Sequence, residues 1–253
     1  MRDIADMSIL ITGGGSGIGA GAARHFASAG AKVTITGRRS APLQRVASQI
    51  GDACHAVVGD VTSDAGRARM VSEAVEHGGK LDALISNAGN MYRSDVVDFD
   101  EQQLLDIFNT NVVGGMMLCK QAHAHLAAQQ GCIIFVGSVH TQRAFPNASP
   151  YAATKGALEA LTGVLAAELG KDKIRVGCVR PGAVLTEINV RAGLGTAEEQ
   201  SERLEAMSAL HALGRIGTVD EIAEAFEYLV RAEWTTGNVL TVDGGLGLGV
   251  TNE

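Results

Sequence analysis

The stretch from Ser8 to Gly19, reading Ser-Ile-Leu-Ile-Thr-Gly-Gly-Gly-Ser-Gly-Ile-Gly, limits the fold more tightly than any other part of the chain. Its first half is a short apolar run with two isoleucines, suited to a strand buried on both faces of a parallel sheet. A glycine cluster follows at once. Beyond it, Ala20 to Ala29 is rich in alanine, with Phe26 on a core-facing stripe and Gly30 where a helix stops. The glycines therefore sit at a strand-to-helix turn. Such a turn lets backbone N–H groups and the positive end of the helix approach a pyrophosphate, an approach that side chains would block. The spacing alone also fits an innocent glycine-rich loop; the strand before and the helix after give it weight.

From there the chain alternates strand-like and helix-like segments almost to its end. Lys32 to Gly37 reads as strand and Ala41 to Ile50 as helix; Cys54 to Asp60 and Ala65 to Glu76 repeat the pair. Leu81 to Ser86 is a strand ending in Asn87-Ala88-Gly89. Glu101 to Gln129 reads as one long helix, with Leu104, Phe108, Val112 and Met116 at four-residue spacing. Cys132 to Val136 is strand, and Tyr151 to Gly170 is a helix with Leu158, Leu161, Leu165 and Leu169 on one side. Ile174 to Val179 and Val239 to Val242 close the series. Alternation of this kind predicts an α/β fold: a doubly wound parallel sheet with helices on both faces, the Rossmann arrangement, as a single domain over residues 1–253. Ligands in such sheets lie at the carboxyl ends of the strands, near the point where strand order reverses.

Charge and composition narrow the partners. A formal net charge of -7, with no basic cluster longer than Arg38-Arg39, argues against nucleic acid and anionic membrane. No apolar run approaches a membrane span and no signal-peptide core opens the chain, so a cytoplasmic protein is expected. Cys54, Cys119, Cys132 and Cys178 lack Cys-x-x-Cys spacing and mostly sit in apolar surroundings. They read as buried reduced thiols, and no metal site is expected.

The ligand at the glycine turn can be taken further. A dinucleotide site of the NAD type carries an Asp or Glu about 20 residues past the glycines, accepting from the adenosine ribose. Here no acidic residue occurs between Thr12 and Gly51, and the second strand ends in Gly37-Arg38-Arg39. A carboxylate there would repel a ribose phosphate, whereas a guanidinium pairs with it through two parallel hydrogen bonds. NADP(H) is thus preferred over NAD(H), with ordinary surface charge as the alternative reading of both arginines. Asp60 either accepts from the adenine amino group or helps Thr62 and Ser63 cap the next helix. Asn87 either meets the ligand or serves only as a turn residue beside Gly89.

At the other end of the chemistry, Tyr151 and Lys155 lie four apart on one helix face. An ammonium there favours the phenolate and makes the phenol a usable proton donor or acceptor. Ser138, ending the preceding strand, can bind the same oxygen. A lone Tyr-x-x-x-Lys pair is everyday surface chemistry; company is what gives it meaning.

In company, these residues resemble the short-chain dehydrogenases/reductases in their single-domain form, over nearly the whole chain. Thr12-Gly13-Gly14-Gly15-Ser16-Gly17-Ile18-Gly19 is similar to the family's TGxxxGxG cofactor segment, Asp60 with Val61 to its adenine-contacting acid, and Asn87-Ala88-Gly89 to its NAG turn. Asn111, Ser138, Tyr151 and Lys155 match the order and approximate spacing of its catalytic tetrad, and Pro181-Gly182 with Thr186 the segment holding the nicotinamide. Asp243-Gly244-Gly245 also fits. The resemblance implies hydride transfer between the nicotinamide and a carbonyl or alcohol carbon. Tyr151 is then the general acid or base, Ser138 stabilises the oxygen, and Lys155 holds the ribose hydroxyls. Asn111 anchors a water that links Lys155 to solvent, and Gly114 and Gly115 just beyond it weaken the helix enough to kink it. It also implies a homo-oligomer, dimer or tetramer, built through the two long helices.

Two departures stand out. Gly177 replaces the family's usual Asn in the strand before Pro181, and Ser16 leaves the glycine loop without a basic residue, so phosphate recognition rests on Arg38 and Arg39. Substrate choice falls to residues 139–150, with His140, Gln142, Arg143 and Phe145, and to a lid at about 187–213 hinged at Gly193 and Gly195. Thr196 and Glu199 open its helix as a capping box. His140 and Arg143 either bind a polar or anionic group or are solvated loop side chains; Met91, Tyr92 and Arg93 are placed near the entrance. The competing function is a catalytically silent NADPH sensor on the same fold.

Overall fold

Successive side chains of the first strand point to opposite sides: Ile9 and Ile11 enter one apolar cluster and Leu10 another. The same alternation runs through Ala83 and Ile85 against Leu84, and through Cys132, Ile134 and Val136 against Ile133 and Phe135. A sheet with two buried faces must be covered twice, and the computed structural model, which describes residues 1–249, shows how.

Seven parallel strands run in the order β3-β2-β1-β4-β5-β6-β7. They are β1 (Ser8–Thr12), β2 (Lys32–Gly37), β3 (Cys54–Val58), β4 (Ala83–Ser86), β5 (Cys132–Val136), β6 (Arg175–Pro181) and β7 (Asn238–Val242). Helices α1 (Gly17–Ser28) and α2 (Ser40–Ile50) cover one face. They bring Phe26, Leu43 and Val46 against the sheet, beside Phe226 of a late helix over Val219–Arg231. The other face is covered by α3 (Asp64–Gly78), by α5 (Gly114–Gln129), which continues α4 (Glu101–Phe108), and by α6 (Ser149–Leu169). Met70, Leu118 and Leu158 fill that second core. Numbering onward, α7 is Ile188–Arg191, α8 is Ala197–Ala206 and α9 is the late helix. Strand order reverses between β1 and β4, which opens a crevice at their carboxyl ends.

The long 101–129 segment differs from a uniform helix. Between α4 and α5, Asn109–Val113 forms a π-helical turn, one residue wider than the α turns around it. The four-residue stripe therefore fails to mark a single buried face: Val112 is buried, whereas Phe108 and Met116 are exposed. Gly114 and Gly115 follow that turn, with Gly115 packed where a Cβ would lie 2.9 Å from Ser86 Oγ.

All four cysteines are free and buried, and burial pushes the Cys119 and Cys178 thiols up to about 12. Among the described residues, no helix is long and apolar enough to cross a membrane and no side-chain group could hold a metal ion.

Candidate active site

The glycine turn builds the first wall. Gly13 and Gly17 adopt φ of 68° and 53°, in the region that favours glycine. A Cβ on Gly19 would lie 2.5 Å from the Gly13 carbonyl oxygen, so helix and turn pack backbone to backbone. Ser16 holds the N-cap position of α1 without a side-chain capping bond, and no acid stands in the first turn. Elsewhere Ser63, Thr196 and Thr218 cap α3, α8 and α9. The first N–H groups of α1 thus have no intrahelical acceptor, and Gly13, Ser16, Gly17 and Ile18 line the crevice there. An uncapped helix terminus bordered by glycine fits a pyrophosphate. Gly15 and Gly19 shape the turn without lining the crevice.

Asn87 is held by the protein's own backbone. Its Nδ2 donates to the carbonyls of Thr12 at 2.8 Å and Gly13 at 3.3 Å. The N–H groups of Asn87 and Ala88 both donate to Thr12 Oγ1, at 3.0 and 2.9 Å. This clasp joins β1 to β4 at the reversal point, and Ala88 and Gly89 line the crevice beside it. Asp60 and Val61 form the adjoining wall, where Asp60 Oδ1 accepts from the Thr62 N–H and hydroxyl at 2.9 and 2.8 Å. Ser63, accepting from Gly66, supplies the cap of α3.

Arg38 and Arg39 part company. Arg38 lines the crevice, whereas Arg39 turns to Glu187 in a half-exposed ion pair of 3.2 Å. Arg191 of α7 joins them; burial and the nearby Arg39 and Arg38 lower its affinity for a proton, with Glu187 opposing. Pro181, Gly182 and Thr186 form the facing wall. A Cβ on Gly182 would lie 2.7 Å from Asp243 Cα, and Asp243 accepts from the N–H groups of Gly245 and Gly247 at 2.8 and 2.7 Å. At Gly177 a Cβ would sit 3.1 Å from Leu229 Cδ1, so α9 packs closely on that strand.

At the inner end Ser138, Tyr151 and Lys155 line the same crevice, and these three with Asn111 are each buried. The Lys155 Nζ lies 5.4 Å from the Tyr151 ring centroid and donates to the Val136 carbonyl at 2.8 Å. Asn111 stands in the π turn. Its Oδ1 accepts from the Asn90 N–H at 2.8 Å, and its Nδ2 donates to the Asn90 carbonyl at 3.0 Å and to Thr154 Oγ1 at 3.1 Å. Thr154 in turn donates to the Tyr151 carbonyl at 2.8 Å, so Asn111 is linked to the turn of α6 that carries the phenol.

His140 sits against this group. Its ring is edge-on to Tyr151 at 5.2 Å between centroids and stacked obliquely on Phe145 at 4.6 Å. Arg93 Nη2 lies 3.4 Å from His140 Nε2, and Ser138 Oγ lies 2.9 Å from Nδ1. A guanidinium only donates, so Nε2 accepts and Nδ1 carries the hydrogen toward Ser138. Burial, with Arg93, Lys155 and Arg203 nearby, pulls His140 down to about 4. The ring is neutral at physiological pH.

Of the loop residues, Met91 and Arg93 line the crevice, whereas Tyr92 accepts from the Asp100 N–H at 3.1 Å and Arg143 donates to the Leu246 carbonyl at 3.1 Å. In the 187–213 segment, the Thr196–Glu199 capping box is formed and Leu204 packs on Val139, Ala183 and Leu246. Thr154, Glu159, Arg191 and Arg203 carry no sequence signal of their own. Glu159 binds Arg180 at 2.7 Å and Thr141 at 2.8 Å, anchoring the turn after Ser138.

A family profile described as enoyl-(acyl carrier protein) reductase matches residues 13–247, which spans every wall of the crevice. The chain belongs to the short-chain dehydrogenase/reductase family. As a short-chain dehydrogenase/reductase it is an oxidoreductase. It is 35% identical over 244 residues to an uncharacterized oxidoreductase of Methylorubrum extorquens, covering 94% of this chain and 96% of that one. A glucose 1-dehydrogenase of Gluconobacter oxydans is 32% identical over 252 residues, with 96% of this chain and 93% of the relative covered. The 3-ketoacyl-(acyl-carrier-protein) reductase of Brucella melitensis, solved with NADH, superposes with a TM-score of 0.87 at 33% identity, covering 96% of this chain and 99% of that one.

Proposed function

We propose that this short-chain dehydrogenase/reductase is an NADP(H)-dependent enzyme that interconverts a carbonyl and a secondary alcohol. One observation carries the reading: Ser138, Tyr151 and Lys155 share a crevice whose far end is the uncapped terminus of α1 and Arg38. A nicotinamide cofactor, when bound, supplies or accepts the hydride. Gly13, Ser16, Gly17 and Ile18 receive its pyrophosphate, Asp60, Val61, Ala88 and Gly89 border its adenosine half, and Pro181, Gly182 and Thr186 border the nicotinamide. Arg38 meets the ribose phosphate, which no lining carboxylate on β2 opposes.

The proton work falls to side chains. In the reducing direction the Tyr151 hydroxyl gives its proton to the carbonyl oxygen, and in the oxidising direction the phenolate takes it back. Ser138 Oγ accepts from the His140 ring and, at 3.3 Å, from the His140 N–H, which leaves its own proton to donate to the same substrate oxygen. The Lys155 charge stabilises the phenolate left behind. Asn111, through Thr154, fixes the turn that carries Tyr151. Exposed Leu105, Phe108, Val113 and Met116 on the α4–α5 helix, with Val164 on α6, support a homo-oligomer. Four buried free thiols support a reducing, cytoplasmic setting.

The test is absorbance of the reduced cofactor with a panel of ketones, aldehydes, sugars and secondary alcohols, run with NADPH and NADH in parallel. Turnover faster with NADPH is expected. Faster turnover with NADH removes the role given to Arg38, and stabilisation by NADPH without any turnover favours the sensor reading instead.

A further inference from the structure

The two carboxylates that line the crevice, Asp60 and Glu187, stand at its nucleotide end. The reacting end has the opposite character. With Ser138, Tyr151 and Lys155 the lining carries Arg93, His140 and Arg203, set among Phe145, Leu204 and Met207. Among the described residues neither Arg93 nor Arg203 forms an ion pair. Arg93 Nη2 is directed at His140, but its Nε is buried and meets no acceptor among those residues. Burial and the nearby Arg203 both disfavour the charge of Arg93, with Tyr151 opposing. Two guanidinium groups therefore line one crevice without a carboxylate partner among the described residues: Arg203 is exposed, and Arg93 is half-buried with an unanswered donor. The neutral His140 beside Arg93 adds no charge.

We propose that the substrate is an anionic carbonyl compound or alcohol, whose carboxylate or phosphate group is bound between Arg93 and Arg203 while its oxygen meets Ser138 and Tyr151. This rests on the oxidoreductase reading and names the substrate class for it. Arg93 comes from the segment after the central strand β4 and Arg203 from α8, so the anion bridges the two. Planar guanidinium groups bind such oxyanions through paired hydrogen bonds, and the apolar side chains beside them take an uncharged remainder. A substrate of this kind is the product of a reaction class that leaves an acid or phosphate ester beside a ketone or secondary alcohol.

The experiment measures NADPH oxidation by the wild-type protein and by Arg203→Gln and Arg93→Gln, against oxo acids, their methyl esters, and ketone phosphates. Arg203 is exposed, so its variant folds even if Arg93→Gln does not. We expect kcat/KM for one anionic set to exceed that for the esters by about 100-fold, as charge-assisted hydrogen bonds allow. The advantage shrinks at high salt, and the acid-to-ester ratio falls about tenfold or more in Arg203→Gln, mainly through KM. Preference for oxo acids over ketone phosphates, or the reverse, identifies the oxyanion. Esters turned over as well as the anions, or a ratio unchanged in both variants, overturns the proposal and leaves the oxidoreductase reading standing. If no compound reacts, calorimetric titration of the NADPH-loaded protein with butyrate, glycerol phosphate and butyramide decides. Saturable binding of either anion that Arg203→Gln weakens upholds the anion site while the oxidoreductase reading fails; no binding of either anion overturns the site as well.

Discussion

Ser138 Oγ and His140 Nδ1 lie 2.9 Å apart, two residues from each other on the turn that follows β5. The serine hydroxyl is oriented by a ring that is itself oriented by Arg93, so the polarity of the site runs from a guanidinium through an imidazole to a hydroxyl. This chain works only while the imidazole is neutral.

That condition gives a dependence on pH. The unfolded chain protonates His140 near 6.5, whereas the folded protein resists until about 4. Between these values the unfolded state binds more protons, so stability falls as pH drops from about 6.5 to about 4 and the loss is complete below that. This one group accounts for about 3 kcal/mol at most. Urea unfolding of wild type and His140→Gln at a series of pH values should show the variant losing less stability across that window; parallel losses would remove His140 as the cause.

Tyr151→Phe deletes the hydroxyl and keeps the ring that packs on His140 and Lys155. We expect kcat to fall by roughly a thousandfold, within the span of lost general acid–base catalysis. NADPH affinity, read by fluorescence titration, should stay within about twofold, since the phenolic proton belongs to the chemical step. A variant with full turnover would end the mechanism.

Arg38 and Arg39 should separate in a cofactor assay. Arg38→Ala is expected to raise KM for NADPH about 10- to 100-fold with little change for NADH. Glu187→Gln releases Arg39 from an exposed pair, which is worth at most about 1 kcal/mol, so any gain toward NADPH stays under about fivefold. Equal effects on both cofactors would move the ribose phosphate elsewhere.

Thr12→Val keeps the shape of a fully buried side chain and removes the acceptor of two backbone N–H groups. The Ala88 N–H is then unanswered while the Asn87 N–H keeps the Ile85 carbonyl at 3.1 Å, so the loss should be about 1–3 kcal/mol, measured by urea unfolding. A loss near zero would mean that the β1–β4 clasp rests on Asn87 Nδ2 alone.

The course of the fold was legible because short apolar runs alternate with amphipathic stretches, some of them bounded by glycine or a capping residue. Ser8 to Gly19 shows an apolar run and a glycine boundary at once. Helical spacing put Tyr151 and Lys155 on one face, and only the company of Ser138, Asn111 and the glycine turn marked them as a candidate site. What sequence could not show was which polar side chains bind the protein's own backbone or a distant partner. Asn87 and Asp243 are bound to backbone groups that lie near them only after folding, and Arg39 finds its acid 148 residues away. Arg203 reads as one more charge on a polar helix until folding puts it in the lining of the same crevice as Arg93. The π turn was hidden for a different reason: i→i+5 bonding has no residue pattern of its own, and Gly114 and Gly115 marked only that something near Asn111 departs from an α-helix.

That turn makes the long helix a splice of two pieces out of phase. Each residue advances an α-helix by about 100°, so the surplus one gives α4 and α5 different compass bearings on a shared axis. Ile107 can face inward on one bearing while Leu118, Ala122 and Leu126 do so on another. Excising one residue from 109–113 would close the turn to ordinary i→i+4 bonding and leave α5 facing as it does, but the bulge that sets Asn111 between Asn90 and Thr154 would be lost.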